Sequence, residues 1–384
     1  MSAGHARRIA APAYTHAITT LASLGCEAAA WDDLSARSGD GHPFFGRHAM
    51  QAHLASGLSA PDLRVVVVHG PDRLEAVLPF RRSYDICGVG RPVALPFVSP
   101  FITATAPLVA AGPDRPAILA ALVEGLAAAS GGRAWRWPLL SVAAPLGRDL
   151  VSAMKAAGWD LGEVARFERP VLERRADHGA FLAGHPHPSR LKDLRRRQRR
   201  LAESGAVRLE TATRGPALAR AVEDFLGVEA AGWKGAAGSA MACRPAHAAF
   251  ARALFRAEGG PVGIRTDTLM RDGTALAVSL ALVANGTAYL LKTAYDETAR
   301  AFAPGLVLEA EIVRALHAEG FADRLDSATL AGSALESLYR ERDTVAEIIA
   351  VPEGARGLIG LERRLRLARF EETARDEVRR LLRR

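Results

Sequence analysis

The sequence predicts an α/β (α+β) protein of two domains in tandem, each a mixed, mostly antiparallel sheet flanked by helices. Three observations lead there. A chain of 384 residues exceeds what one ordinary core encloses and suits two domains of similar size. Hydrophobic residues at 49% against 24% charged give enough apolar surface to fill buried cores without staples or metals. Strand-length apolar runs also alternate with Ala/Leu-rich stretches of helical length, twice along the chain.

The first block, residues 1–165, begins with a stretch that Tyr14, Thr15, His16, Thr19 and Thr20 break up. It therefore reads as a short leader followed by the first helix, because a secretory segment needs an unbroken apolar run. A helix is expected over 44–57, then strands at 64–69 and 74–80 around a Gly70-Pro71-Asp72 turn. More strand material follows at 93–103 and 134–140, with helices over 117–129 and 147–157, and a strand at 161–172 leads out.

The second block, residues 166–355, opens with 181–204, where Leu191, Leu194 and Leu201 mark one helix face. A strand at 207–211, helices over 216–231 and 245–258, and a hairpin of 262–270 with 275–283 about Arg271-Asp272-Gly273 come next. A third strand at 287–295, a helix over 305–319, a strand at 322–327, helical material over 333–342, and a C-terminal helix within 356–384 complete it. No sequence repeat links the blocks.

Composition excludes several classes. The longest apolar run, 276–284, is far too short to span a bilayer. Cys26, Cys87 and Cys243 are scattered without CxxC or Cys/His spacing, so no zinc site and no disulfide framework is expected, which suits a reducing cytoplasm. His185-Pro186-His187-Pro188 reads as a stiff connector, since no further metal ligands lie near it. The net charge of +8 divides into +2 before residue 171 and +6 after it, and residues 189–200 alone carry seven basic side chains against Asp193. That basic helix admits three readings: a solvated face, a contact for a polyanion such as tRNA or a nucleotide-linked sugar, or part of the scaffold. Aromatic residues for base stacking are absent around it, which argues against reading of base sequence.

The most informative stretch runs from Leu291-Lys292-Thr293-Ala294-Tyr295-Asp296-Glu297 to Arg300-Ala301-Phe302-Ala303-Pro304-Gly305. It sets a strand end, a tight loop and a helix N-terminus in succession, with Pro304 suited to the first turn. An ordinary strand-to-helix turn has the same outline. Only four of the 50 basic residues are lysines, Lys155, Lys192, Lys234 and Lys292. A lysine is a compact charge that shifts its pKa on burial, which arginine cannot imitate. Lys234 and Lys292 could each hold a substrate carboxylate or phosphate, or simply pack a stem on the sheet. Trp233 reads as a core or pocket wall.

Three ordered segments carry a resemblance. Glu229-Ala230-Ala231-Gly232-Trp233-Lys234-Gly235 is similar to a "GWKG" segment, Lys292 to Gly305 to a "K-x-x-Y-D … PG" segment, and Leu325-Asp326-Ser327 with Leu338-Tyr339-Arg340-Glu341-Arg342 to a "DS … W/Y-x-x-R" ending. Together they resemble the GNAT-like family that includes the CelD-type cellulose-biosynthesis proteins and is related to the Fem peptidyltransferases. The likeness covers about 165–345, and the first block shares only the general layout.

The resemblance implies two GNAT-like domains in tandem and an N-acyltransferase using acetyl-CoA or another acyl-CoA, without a metal. The acceptor would be an amine of a small molecule or of a cell-envelope or polysaccharide precursor. An aminoacyl-tRNA donor and a non-catalytic role in polysaccharide synthesis are its alternatives. It places the donor's diphosphate at Arg300, Ala303, Gly305 and Leu306, although Ala303 stands where glycine is usual and Pro304 has no N–H. Tyr339, read as lying on a helix after the Asp326 strand, stands where the fold often keeps a tyrosine acid. Asp326 and Asp296 are the carboxylates placed to take a proton or bind an ammonium, Asp296 being equally suited to a turn. Trp233, Lys234, Lys292 and Tyr295 would face the substrate.

Overall fold

Val65–Val68 and Ala76–Leu78 are continuous apolar runs, and both lie in strands buried on their two faces. In the second half Asp272-Gly273 and Asn285-Gly286 occupy two-residue turns with positive φ at both positions, the geometry that matches strand twist. The first half turns its corresponding hairpin through a longer loop, Gly70–Arg73, closed by the Gly70 N–H on the Arg73 carbonyl at 2.9 Å.

The computed structural model describes residues 13–256, 260–329, 338–355 and 359–382. The first half runs β1 (Thr15–Thr20), α1 (Leu21–Gly25), α2 (Ala28–Arg37), α3 (Arg47–Ala55), β2 (Arg64–His69), β3 (Leu74–Tyr84), β4 (Pro92–Pro96), β5 (Leu108–Val109), α4 (Arg115–Ser130), β6 (Trp135–Ser141), α5 (Pro145–Ala156) and β7 (Asp160–Glu173). The second half runs α6 (His178–Leu182), α7 (Pro188–Glu203), β8 (Val207–Ala212), α8 (Gly215–Ala231), α9 (Trp233–Ala236), α10 (Pro245–Leu254), β9 (Gly263–Arg271), β10 (Thr274–Ala284), β11 (Thr287–Tyr295), α11 (Pro304–Glu319), β12 (Arg324–Asp326), β13 (Glu341–Val351) and α12 (Leu361–Leu382).

All strands join one sheet in the order β1-β2-β3-β4-β6-β13-β7-β12-β11-β10-β9-β8, with β5 paired beside β3. The series β1-β2-β3-β4-β6 and β8-β9-β10-β11-β12 match step for step, three antiparallel pairings and then a parallel one. The sheet is thus built of two units of the same topology in tandem. At the centre each half's last strand crosses over: β7 pairs with β12 of the second half, and β13 with β6 of the first. The register of β7 against β13 runs from Asp160↔Val351 to Val171↔Glu341, so the halves share their longest ladder, and the expected boundary at residue 165 lies inside β7.

Two sequence expectations change here. Residues 15–20, inside the stretch read as a leader followed by the first helix, form an edge strand, because Thr15, Ile18, Thr19 and Thr20 are β-branched and the segment pairs with Arg64–His69. Leu338 to Arg342 are a turn and the start of β13, whereas helical material was expected over 333–342; residues 333–337 lie outside the described residues. The charges of β13 find partners in the sheet, Asp343 on Arg324 at 2.7 Å and Glu347 on Arg136.

The first half closes on a core that includes Trp31, Trp135 and Trp137, whose indole N–H groups donate to the carbonyls of Phe45, Leu126 and Thr105. In the second half α7 and α11 cover one face of the sheet, and α8 and α10 the other, where α3 and Phe101 of the first half join them. Helix α12 packs through Leu361, Leu365 and Ala368, while Phe370 is exposed. Among the described residues no helix is long and apolar enough to cross a membrane.

Candidate functional site

Strand β11 makes the opening. It pairs with β12 only from Thr287↔Arg324 to Tyr289↔Asp326, where β12 ends, while β11 continues to Tyr295. The register against β10 also slips, Leu280 opposing Lys292 and Ala281 opposing Leu290, so Leu291 is an extra residue that bends the strand. Beyond Tyr289 the two parallel strands part, and the β11 edge toward the gap is left without a ladder partner among the described residues.

The Gly-Trp-Lys-Gly segment sits against the loop that follows this strand, for reasons written in its glycines. A Cβ on Gly235 would lie 1.7 Å from the Ala230 carbonyl oxygen, and one on Gly232 would lie 2.8 Å from Glu297 Oε1. Glu297 accepts the Trp233 backbone N–H at 3.0 Å, tying the segment to the loop after β11. Trp233 is 62% exposed, so it is no core residue; Tyr295, at the end of β11, is 41% exposed.

Lys234 and Lys292 converge with a residue to which the sequence reading gave no role. Glu229 is buried at the end of α8, accepts Lys234 Nζ at 2.9 Å on one oxygen and the Met241 N–H at 2.7 Å on the other. Its position five residues before Lys234 was the only hint, and nothing in spacing set it apart from a surface acid. Lys292 lies over the Phe101 ring, 5.6 Å from its centroid, and Phe101 stacks on Phe250 and meets His247 edge-on. Burial and then the Lys234 charge push the Lys292 ammonium below its ordinary pKa, with Glu229 opposing. Burial, then Arg244 and Lys292, lower His247 likewise. The first half therefore walls the site through Phe101.

The loop into α11 has the expected path and few free donors. Ala303 takes the left-handed conformation, φ 50°, where glycine is at ease. Pro304 has no N–H, and the Leu306 and Val307 N–H groups both bond the Ala303 carbonyl at 3.0 Å. Gly305 is needed for another reason: a Cβ there would meet the Tyr295 ring at 3.2 Å. Arg300 is exposed in a short 3₁₀ turn, Glu297–Phe302. The backbone has the shape of a phosphate loop with a depleted donor set.

The three residues expected to move protons already have partners. Tyr339 precedes β13, is fully buried, and donates its hydroxyl to Glu309 of α11. Burial and Glu309 hold that phenol well above its usual pKa, and burial raises Glu309 to about 7. Asp326 is buried 3.7 Å from Arg169 and accepts the Ala328 N–H; burial raises it despite Arg169. Asp296 caps the 3₁₀ turn, accepting the Thr298 N–H at 2.9 Å and its hydroxyl at 2.7 Å.

The matching place in the first half is closed. Strands β4 and β6 pair at one position, Ala94↔Trp135, and the segment after β4 fills the gap. Thr105 N–H donates to the Leu139 carbonyl at 3.2 Å, its hydroxyl donates to the Pro138 carbonyl, and its own carbonyl accepts Trp137 Nε1.

Comparisons with known proteins agree with this layout. Residues 188–332 match the family described as acetyltransferase (GNAT) domain. No curated protein sequence matches the chain. Among solved structures, FemX superposes with a TM-score of 0.55 at 11% identity, covering 85% of this chain and 96% of its own. A conserved protein of unknown function from Bacteroides thetaiotaomicron VPI-5482 gives 0.50 at 13%, covering 85% and 97%. A tandem GNAT protein from the clavulanic acid biosynthesis pathway gives 0.42 at 14%, covering 88% and 98%. The chain carries a GNAT acetyltransferase domain and is a GNAT-type enzyme.

Proposed function

We propose that the chain is an N-acyltransferase that moves an acyl group, acetyl in the simplest case, from an acyl-CoA to an amine at the open edge of β11. The observation that carries the reading is the parting of β11 from β12 at Tyr289/Asp326, next to the bulge at Leu291. An acyl carbonyl drawn into the gap meets backbone N–H groups held in place by the sheet, which favour the oxyanion of the transition state. The amine's lone pair forms the C–N bond, the C–S bond breaks, and the departing sulfur takes up the proton that the nitrogen loses.

In this reading Lys292 and Lys234 hold an anionic group of the acceptor, and the contact with Glu229 at 2.9 Å orients Lys234. The exposed Trp233 and Tyr295 rings offer the acceptor two apolar walls. This favours an amine on a small anionic molecule or on a cell-envelope or polysaccharide precursor, with Arg300, Ala303, Gly305 and Leu306 beside the donor's phosphates. Because Thr105 closes the equivalent gap in the first half, one donor should bind per chain.

Titration of the full chain with acetyl-CoA tests the reading, with heat stability and calorimetric stoichiometry as readouts. Stabilisation at micromolar donor with one site per chain is expected; no response at millimolar donor refutes it. Tyr339→Phe separates the roles of that residue. Lost turnover with retained donor binding and stability supports the acid, and unchanged turnover makes Tyr339 a core partner of Glu309.

A further inference from the structure

Helix α7 lies against the loop that leads into α11. Leu191, Leu194 and Leu201 are buried in the core beneath it, and Gln198 Nε2 donates to Glu311 Oε1 of α11 at 3.1 Å. Asp193, Arg197 and Arg200 fall on one stripe of the helix, spaced four and three residues apart. Arg197 Nη1 donates to the Ala301 carbonyl at 3.2 Å, and the Arg200 guanidinium stands over the Phe302 ring, 5.9 Å from its centroid. Both cations are thus held on the loop that Arg300 and Ala303 belong to.

The loop's own backbone has little to give an anion. The N–H groups of Thr298, Ala299, Ala303, Leu306 and Val307 all bond locally and Pro304 has none, which leaves the Gly305 N–H as the one donor of the first turn of α11 still open to an anion among these residues. The positive charge beside it is in excess. Arg196 and Arg197 share the single carboxylate of Asp193, and among the described residues Arg200 meets no carboxylate at ion-pair distance. Arg200 is also exposed.

From this juxtaposition we propose that Arg197 and Arg200 of α7 recognise the phosphates of the CoA-type donor, supplying by guanidinium the hydrogen bonds that the loop's amides have lost. The inference rests on the function proposed above. A guanidinium offers a planar pair of N–H donors that matches two phosphate oxygens, which a lone backbone amide cannot do. A helix pinned by Leu191, Leu194, Leu201 and Gln198 holds the pair in place before the donor arrives.

Calorimetry of the full chain with CoA, and separately with pantetheine, which has no phosphates, tests this. Arg197→Gln with Arg200→Gln should weaken CoA binding about tenfold to a hundredfold, the size of losing two exposed charge-assisted hydrogen bonds. Pantetheine affinity should stay within about twofold of wild type. A control pair on another stripe, Arg190→Gln with Lys192→Gln, removes the same charge and should change CoA affinity by less than about twofold. Arg200→Gln alone leaves the Arg197–Ala301 hydrogen bond in place, so a weaker CoA complex in that variant separates recognition from loop distortion.

Equal CoA affinity of wild type and the Arg197/Arg200 pair overturns the inference and leaves the function reading standing. So does an equal loss in the control pair, which would make the effect one of overall charge. Binding of tRNA that depends on Arg200 while CoA binding does not would overturn it in favour of a nucleic-acid face. Wild type that binds no CoA at millimolar concentration overturns both.

Discussion

Gly235→Ala puts a methyl group where the structure has no room. The new Cβ would stand 1.7 Å from the Ala230 carbonyl oxygen and 2.6 Å from its carbon, both backbone atoms, whereas an ordinary contact needs more than 3 Å. Over an ångström of movement is required, and no side chain can absorb it. Either the last turn of α8 opens or α9 lifts away. In both cases the Glu229–Lys234 pair at 2.9 Å and the Glu229–Met241 bond at 2.7 Å are strained or lost. Leaving a buried carboxylate short of partners costs about 2–4 kcal/mol. Urea denaturation reads that as a lowered midpoint. The chain's four lysines allow a second readout, since a spectrum of the whole chain labelled at lysine Cε has four signals. The Lys234 and Lys292 signals should move and the Lys155 and Lys192 signals should not. A loss under about 1 kcal/mol with all four signals in place would refute the argument that Gly235 sets the site's geometry.

Other perturbations probe separate parts of the structure. Ala303→Gly relieves a left-handed alanine and should stabilise the chain by up to about 1 kcal/mol in denaturant titration, the gain being reduced by the greater freedom of glycine when unfolded. Arg136→Met leaves Asp85, Glu347 and Glu371 without the buried guanidinium that joins β6, β13 and α12, and should cost about 3–5 kcal/mol in the same assay. Stability should also fall with acid. Burial lowers His42 and His53 to about 4, so the folded chain keeps them neutral while the unfolded chain protonates them near pH 6.5. Their contribution is complete above that value and is lost as pH falls toward 4, on the order of 3 kcal/mol for each residue, and His53→Gln should flatten the thermal-stability profile over that range.

Local physics made most of the second half legible. Strand β11 begins and ends at the residues expected of it, between Asn285-Gly286 and Asp296, and Asp272-Gly273 turns the hairpin because glycine and aspartate tolerate positive φ. Strand β13 was hidden for the opposite reason. Glu341, Arg342, Asp343 and Glu347 give it the look of an exposed segment, and only their partners Arg175, Arg324 and Arg136, distant in sequence, allow it to lie at the centre of the sheet.

The site divides in the same way. The sequence by itself determined that Lys292 stands near a strand's end just before the Arg300–Gly305 loop, because short-range spacing places a loop and a helix start there; that Lys234 belongs with them was implied only by the resemblance. Only the tertiary structure decided that Glu229 and Phe101 complete that region, and that Tyr339 and Asp326 are enclosed by Glu309 and Arg169. The exchange of β7 and β13 was likewise decided there. Burial and charge pairing are set by residues far apart in the chain, and a single sequence carries no signal of which distant groups will meet.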